Sequence, residues 1–176
     1  LAALGVPIVP TTLAPRLTEE VLTALWRDYG ELVVKPTVSA GSWRTERLPP
    51  GTAPAGAVVG HGKGARPGQG IVDPEPEAYL IQPFLPQIAE GEWSLVFFDG
   101  EFSHAVRKIP QQGDFRVQEQ YGGQTVAAAT AGLPSGLIDQ AAAALAALRA
   151  VPALSAVSAT PPLYARVDGV LDGGRL

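Results

Sequence analysis

Lysine is scarce in this chain of 176 residues, which contains only Lys35, Lys63 and Lys108. Lys35 ends an apolar run, Leu32-Val33-Val34, and is followed by small residues as far as Ser42. An ammonium group at the end of a rigid strand supplies a point charge for phosphate, while closely spaced backbone N–H groups in the next loop donate directed hydrogen bonds. The alternative is a solvated lysine at a strand end, and the local sequence leaves both open.

Arg166 and Asp168 form a second charged pair, in an apolar segment near the end of the chain. They lie two positions apart, so on a strand both side chains leave by the same face. An arginine beside a carboxylate suits an anionic transition state with a magnesium ion. The alternative is a simple ion pair on a sheet, which the local pattern by itself favours.

Lys108, Asp114 and Arg116 bracket a turn that contains Gly113, and Gly122-Gly123 follows shortly afterwards. Such a loop can close over a charged substrate. The alternative is a solvated hairpin, and composition does not decide between them.

The segment from Gln82 to Pro86 interrupts an apolar strand with two prolines. A strand that ends in such a link offers backbone C=O and N–H groups to the edge of an adenine without any special side chain. Glu92 follows at the start of the next apolar strand.

Composition excludes several classes of site. Without cysteine there are no disulfides or thiolate metal sites, and the sequence does not support a two-histidine metal site at His61 and His104. Gly62-Lys63-Gly64 lacks the first glycine and the final hydroxyl of a Walker loop. The net charge of −4 and the lack of a basic stripe argue against a nucleic-acid surface. No apolar run approaches the roughly 20 residues that span a bilayer.

Hairpins and helices both connect the predicted strands, which favours an α+β fold over a doubly wound parallel sheet. The Asp99-Gly100 pair is a strong hairpin turn. Apolar runs and alternating patterns predict strands over residues 6–10, 32–35, 78–82, 93–98, 101–107, 118–121 and 163–171.

Two helices are predicted from their capping residues. Thr18 caps the first, with Leu17 and Leu22 as a hydrophobic staple, and Gly30 ends it. Ser135 caps the second, which runs to Arg149 just before Pro152. Between residues 49 and 76, 13 of 28 residues are Gly or Pro, which predicts a loop or loosely built lobe with one strand at 57–59.

In this order, the elements resemble the ATP-grasp superfamily, and in particular the ATP-binding domain of the bacterial glutathione synthetase type. Any one of the motifs is weak, but three in sequence, joined by the link at residues 80–84, are fairly specific. The motifs are residues 32–42 with the lysine strand and phosphate loop, residues 108–116 with Gly122-Gly123, and residues 165–170.

The resemblance implies two α+β lobes with mixed or antiparallel sheets that clasp ATP. Residues 1–79 would form the small lobe, including the Gly/Pro-rich loop 49–76. Residues 80–176 would form a large lobe that is truncated at its C-terminal end, and the N-terminal substrate domain would be absent from the chain.

The resemblance also assigns a role to each candidate residue. Lys35 would contact the α- and β-phosphates, and Asp168 would hold magnesium. The phosphate loop would include Ser39, Gly41 and Ser42; the adenine hinge would be Gln82, Phe84 and Leu85, mainly through backbone groups; Glu92 would bind the ribose hydroxyls; and Lys108, Arg116 and Arg166 would face the γ-phosphate and the acyl phosphate formed from it.

The implied activity is an ADP-forming carboxylate–amine ligase, or one that forms an intramolecular amide, acting through an acyl phosphate with ATP and magnesium. Its partners would be small carboxylates and amines in the cytoplasm, with no nucleic acid and no membrane, and a homo-oligomer is left open. The first alternative is a nucleotide-binding module that has lost catalysis and serves regulation or assembly. A second is an unrelated α+β protein.

The sequence departs from the family pattern in three respects. The phosphate loop is poor in glycine, since Val38, Ser39 and Ser42 leave only Gly41. A second nucleotide-binding lysine is expected before Leu1, and further metal ligands are expected after Leu176. The chain as given begins without methionine, so it is expected to be an interior fragment or to lack a leading segment. Because it carries about one of the expected metal ligands, it is not expected to be active alone.

Overall fold

The computed structural model describes residues 1–53, 76–129, 132–151 and 160–176. The chain divides into two compact units. One comprises Val9–Leu85, and the other comprises Leu1–Ile8 together with Pro86–Leu176. Both units combine an antiparallel four-stranded sheet with a helix, so the α+β prediction is confirmed.

The Val9–Leu85 unit, called the first unit below, has the strand order β1-β4-β2-β3. Neighbouring strands pair antiparallel throughout this sheet. Its elements are β1 (Thr12–Ala14), α1 (Glu19–Tyr29), β2 (Leu32–Pro36), β3 (Glu46–Leu48) and β4 (Tyr79–Pro83). The strand that begins the predicted large lobe at Leu80 therefore pairs within this unit.

Helix α1 begins and ends where its capping residues predict. The Thr18 hydroxyl accepts a hydrogen bond from the Val21 amide, and Gly30 ends the helix with a φ of 73° that glycine adopts without strain. Its apolar side packs on one face of the sheet, where the core contains Leu22, Leu32, Val34, Leu48 and Ile81.

The other unit, called the second unit below, has the strand order β7-β6-β5-β8, also antiparallel. The Asp99-Gly100 turn that joins β5 to β6 has positive φ at both residues, 50° and 82°, as a two-residue hairpin requires. The elements are β5 (Glu92–Phe98), β6 (Glu101–Ile109), β7 (Gln124–Ala128), α2 (Leu137–Ala147) and β8 (Tyr164–Gly169).

Helix α2 covers one face of the second sheet. Leu137, Ala141 and Leu145 are buried on its inner side, as their helical spacing predicts. They pack against alternate residues of β5, which include Leu95 and Phe97. Since Ser94 and Val96 are also buried, β5 is enclosed on both faces, and this explains its unbroken apolar run.

Two predicted strands are wrong. Residues 6–10 form no strand, because Pro7 and Pro10 have no N–H to donate to a ladder, and pairing begins at Thr12. Residues 118–121 also form no strand: Glu119–Tyr121 is a 3-10 turn. The strand instead follows the glycine pair, at β7.

The third correction concerns the start of α2. Ser135 makes no side-chain cap; the residue before the helix is Gly136, in the left-handed conformation with φ 74°. The α-helix ends at Ala147, and a 3-10 turn, Leu148–Ala150, continues it.

Other predictions fall outside the described residues, namely the strand at 57–59, the features at His61 and Gly62-Lys63-Gly64, and Pro152. Within the described ranges, no helix is both long and apolar enough to cross a membrane.

Candidate functional site

Lys35 lies on the face of the first sheet opposite α1. In β2, Leu32 and Val34 point into the core, so Val33 and Lys35 point to the other side. The antiparallel register places Gln82 opposite Val33, on this same side. Lys35 is half-buried and forms no ion pair with the residues that the structure describes. Lys35 thus shares a face of the sheet with Gln82, and no described carboxylate neutralises its ammonium group.

The link after β4 is fixed by several contacts. The Gln82 amide nitrogen donates to Thr11 Oγ1 at 2.8 Å, and the Phe84 N–H donates to the Glu31 carbonyl at 2.8 Å. The Arg47 guanidinium lies 3.8 Å from the Phe84 ring centroid and pairs with the Glu31 carboxylate. The N–H of Phe84 is therefore already used in a hydrogen bond within the protein.

Because this N–H is occupied, it is not available as a hydrogen-bond donor to the edge of an adenine. With the Phe84 N–H held by Glu31, the backbone at Leu85 is the remaining part of the predicted hinge that could supply the donor. Leu85 is half-buried and is the last residue of the first unit.

The predicted phosphate loop turns through left-handed backbone even though it is poor in glycine. Gly41, Ser42 and Arg44 have φ values of 58°, 59° and 51°. Left-handed backbone at a residue other than glycine costs about 1–3 kcal/mol and tends to occur at binding sites. The Ser39 hydroxyl donates to the Trp43 carbonyl at 2.8 Å, so it serves the turn itself.

Arg44 is a candidate that the sequence analysis missed. Its guanidinium carbon lies 4.7 Å from the centroid of the Trp43 ring. Its Nε and Nη1 atoms are buried, and no described residue accepts a hydrogen bond from either. Unpaired buried donors are costly, and an anion is the natural acceptor for a guanidinium. An arginine beside a tryptophan, just after the small residues that end at Ser42, was the only signal in the sequence.

Four charged residues meet on the face of the second sheet opposite α2. The register pairs Glu92 with Lys108, and it pairs Val96 with Arg166 and Ser94 with Asp168. Since residues 92, 94 and 96 alternate with the residues that face α2, their cross-strand partners share the other face. The predicted common face of Arg166 and Asp168 is thus confirmed.

Lys108 is held between two carboxylates. Its Nζ lies 2.8 Å from Glu92 Oε1 and 3.7 Å from Asp168 Oδ1. Only 19% of its side chain is exposed. The lysine therefore joins Glu92, the predicted ribose ligand, to Asp168, the predicted metal ligand.

Asp168 is fixed from two more directions. The Arg166 Nε donates to Asp168 Oδ2 at 2.9 Å, and this hydrogen bond raises the pKa of the Arg166 guanidinium above its ordinary value. The fully buried Ser94 hydroxyl donates to Asp168 Oδ1. Sequence reasoning missed Ser94, although a serine in the middle of an apolar strand was a visible signal.

Arg116 belongs to a separate pair. Its Nε and Nη2 atoms donate to Asp114, with Nη2 2.7 Å from Oδ2. The guanidinium carbon lies 3.8 Å from the centroid of the Tyr121 ring. The hydrogen bond with Arg116 lowers the pKa of Asp114 from 3.8 to about 2 and raises that of Arg116, so the pair stays ionised. Among the described contacts, none joins Arg116 to the Lys108 group.

Asp168 suits magnesium better than a metal held by protein side chains alone. No group of three or more His, Cys, Asp or Glu side chains within the described ranges could hold a metal. Magnesium, however, is usually bound by one or two carboxylates, with phosphates and water as the other ligands. A single aspartate beside Lys108 and Arg166, two cations of a type that binds phosphate, fits that pattern.

Known proteins share this sequence pattern. Residues 4–146 match the sequence model of the family described as "Prokaryotic glutathione synthetase, ATP-grasp domain". A glutathione synthetase of Prochlorococcus marinus (strain MIT 9313) is 33% identical over 122 residues, which are 66% of this chain and 34% of that protein. The chain therefore spans about a third of the length of this curated relative.

Solved structures share the fold. The D-cycloserine synthetase DcsG is 25% identical, with a TM-score of 0.63, over 98% of this chain and 55% of that one. The D-alanine–D-alanine ligase from Bacillus anthracis is 15% identical, with a TM-score of 0.58, over 99% of this chain and 50% of that one. At this low identity the second likeness concerns the fold alone.

Proposed function

Because the chain belongs to the prokaryotic glutathione synthetase family of ATP-grasp domains, we propose that it is the nucleotide-binding part of an ADP-forming carboxylate–amine ligase. The observation that carries the proposal is the charged group on the second sheet. There Lys108 lies between Glu92 and Asp168, and Arg166 contacts the same aspartate. Two cations and two carboxylates on one face suit a polyphosphate with its metal and ribose.

Residues of the first unit are proposed to bind the nucleotide. Lys35 contacts the α- and β-phosphates, and the loop with Ser39, Gly41 and Ser42 surrounds them. The half-buried, unpaired position of Lys35 supports its role. Gln82, Phe84 and Leu85 meet the adenine, with the donor coming from Leu85 because the Phe84 N–H is occupied.

Residues of the second unit are proposed to serve the sugar and the reacting phosphate. Glu92 binds the ribose hydroxyls, for which its Oε2 is available beside the Oε1 that accepts from Lys108, and Lys108 turns towards phosphate oxygens. Arg166 and Arg116 neutralise the γ-phosphoryl group as it moves. Magnesium bound at Asp168 supplies further positive charge to the phosphate oxygens.

The proposed reaction solves the problem that a carboxylate is a poor electrophile. A carboxylate oxygen attacks the γ-phosphorus, and the bond to the β,γ-bridging oxygen breaks so that ADP leaves with its electron pair. The amine then attacks the acyl carbon, loses a proton and expels phosphate. Because anions must first approach one another, catalysis consists mainly of positioning and charge neutralisation.

The substrate is proposed only as a class: an amino acid, a peptide, or a small molecule that cyclises on itself. The relatives support this range, since one is named as a glutathione synthetase and another as a D-cycloserine synthetase. A cytoplasmic location is proposed with it.

One observation favours a second candidate, a nucleotide-binding module without catalysis. The Ser39 hydroxyl donates within its own turn, and Gly41 is the only glycine among residues 37–42. A loop of this kind offers fewer close backbone contacts to phosphates than a glycine-rich one. Binding without turnover is the property that separates this candidate from the ligase.

Two measurements on the full-length protein separate these functions. Millimolar ATP with magnesium should raise the melting temperature, because a ligand that binds only the folded state stabilises it. A panel of amino acids offered with hydroxylamine should then give ADP and a hydroxamate. No thermal shift rejects both candidates, a shift without turnover selects the silent module, and AMP as product contradicts the acyl phosphate.

A further inference from the structure

We propose that Asp114 is a positioning residue that orients Arg116 towards the reacting phosphoryl group. The inference rests on the proposed ligase function and adds a residue to which no role was assigned. Asp114 itself is not placed in contact with the substrate. Its effect is carried by the arginine that it holds.

The Asp114 carboxylate is itself fixed by the backbone. Its Oδ1 accepts hydrogen bonds from the amides of Phe115 at 2.7 Å and Arg116 at 2.9 Å. The Asp114 amide donates to the Gln111 carbonyl at 2.9 Å, which closes the turn. Because two amides of its own turn hold the Asp114 carboxylate in place, the carboxylate fixes the position of the Arg116 guanidinium.

The guanidinium is restrained in two directions. Side-on, Nε lies 3.0 Å from Oδ1 and Nη2 lies 2.7 Å from Oδ2 of Asp114, a bidentate arrangement that fixes the plane of the group. Face-on, the plane packs 3.8 Å from the Tyr121 ring centroid. The pair uses two of the five N–H donors of the arginine, and the Tyr121 side chain also forms a hydrogen bond with the guanidinium. The remaining donors can serve an oxyanion.

The surrounding loop is built to keep this arrangement. Gly122 has φ 81°, and a Cβ at Gly123 would lie 2.2 Å from the Val117 carbonyl oxygen. Val117 is 5% exposed, so the loop has an anchor in the protein interior. The glycine pair thus allows the close backbone approach that brings Tyr121 beside Arg116.

If Asp114 only neutralised the charge of Arg116, its removal would not lower turnover. A carboxylate beside a phosphate-binding arginine weakens the attraction for an anion, so its removal should not weaken ATP binding. If orientation is what Asp114 supplies, its removal should lower turnover, since small misplacements of a catalytic group cost about 100-fold in rate. Removal of Asp114 should therefore lower kcat without raising the Kd for Mg·ATP.

The test uses Asp114→Asn, Arg116→Ala and the double variant in the full-length protein, with Glu119→Gln as the matched control. Asparagine can still accept the two amide hydrogen bonds but loses the charge. Glu119 is an exposed carboxylate of the same loop, in the 3-10 turn. Turnover is ADP release with hydroxylamine and the most active amino acid of the panel, and binding is titration with Mg·ATP.

We expect Asp114→Asn to lower kcat by about 10- to 100-fold while the Kd for Mg·ATP stays equal or falls. The double variant should be no slower than Arg116→Ala, because two residues that act as one unit are not additive. Glu119→Gln should match the wild type. Trypsin cleavage in the loop should stay slow in Asp114→Asn, which shows that the turn is intact.

Each other outcome overturns the inference. If Asp114→Asn keeps the wild-type kcat, Asp114 does not position Arg116 for the reaction. If the losses of kcat in the two single variants multiply in the double variant, Asp114 does not act through Arg116. Weaker ATP binding together with faster loop cleavage means that Asp114 only maintains the fold. A wild-type protein that binds ATP but releases no ADP instead refutes the ligase itself, and with it any role for Asp114 in the reaction.

Discussion

Ser94 donates a hydrogen bond from the interior of the protein to the carboxylate of Asp168, across the pair formed by β5 and β8. The serine side chain is fully buried, whereas a third of the Asp168 side chain is exposed. One carboxylate oxygen of Asp168 is thus held by the hydroxyl group of Ser94, which is not exposed to solvent. This relationship makes Ser94 a determinant of where a metal ligand would stand.

Replacement of Ser94 by alanine should weaken the response to magnesium. A hydrogen bond to a charged group contributes about 1.5–3 kcal/mol, so the Mg²⁺ concentration for the half-maximal thermal shift at fixed ATP should rise about tenfold. The measurement is the melting temperature during a magnesium titration. Ser94→Thr keeps the hydroxyl and serves as the control. An unchanged magnesium midpoint in Ser94→Ala would show that Arg166 and Lys108 position the carboxylate without Ser94.

Arg166→Ala should reduce turnover much more than ATP affinity. If the guanidinium stabilises charge that develops only in the transition state, its loss costs about 3 kcal/mol, or roughly 100-fold in kcat, with little change in Kd. ADP release and Mg·ATP titration give the two numbers. Arg175→Ala removes an exposed arginine of the terminal turn and should be silent. Equal losses of kcat and affinity would refute the transition-state role of Arg166.

Local signals in the sequence were sufficient at Thr18 and at Asp99-Gly100, although the same kind of signal failed at Ser135. Thr18 caps α1 because a hydroxyl can accept from the helix amides, and Asp99-Gly100 turns because glycine and aspartate tolerate positive φ. The period of two in a strand places Arg166 and Asp168 on one face without knowledge of any neighbour.

The local sequence pattern could not predict the pairing register between strands that are far apart in the chain. Ser94 meets Asp168 only because β5 pairs with β8, which are separated by about 70 residues in the chain. The mostly exposed strand β7, Gln124–Ala128, carries no apolar pattern of its own and is specified by its ladder with β6. The family resemblance named Lys108 and Glu92, but it did not predict that the two would be paired to one another.

Arg44→Gln should weaken the binding of ATP but not that of adenosine. Arg44 lies two residues after the predicted phosphate loop, and a phosphate oxygen there would satisfy its unpaired Nε and Nη1 atoms. A charged hydrogen bond lost in this way predicts an affinity about tenfold lower for ATP. Calorimetric titration with both ligands is the measurement, and Arg27→Gln, an exposed arginine of α1, is the control. Equal loss for adenosine would mean that Arg44 only supports the fold.

Asp114 should remain ionised far into the acid range. Its pKa in the folded protein is about 2, below the ordinary 3.8, because Arg116 donates to its carboxylate. A depressed pKa means that the pair stabilises the folded protein fully above the unfolded value, and this contribution is lost as the pH falls from about 4 towards 2. The amide resonances of Phe115 and Arg116 should therefore hold constant from pH 8 to about pH 4 and shift only below it. Asp114→Asn should abolish that transition, and a midpoint near the ordinary value in the wild type would show that the pair does not form in solution.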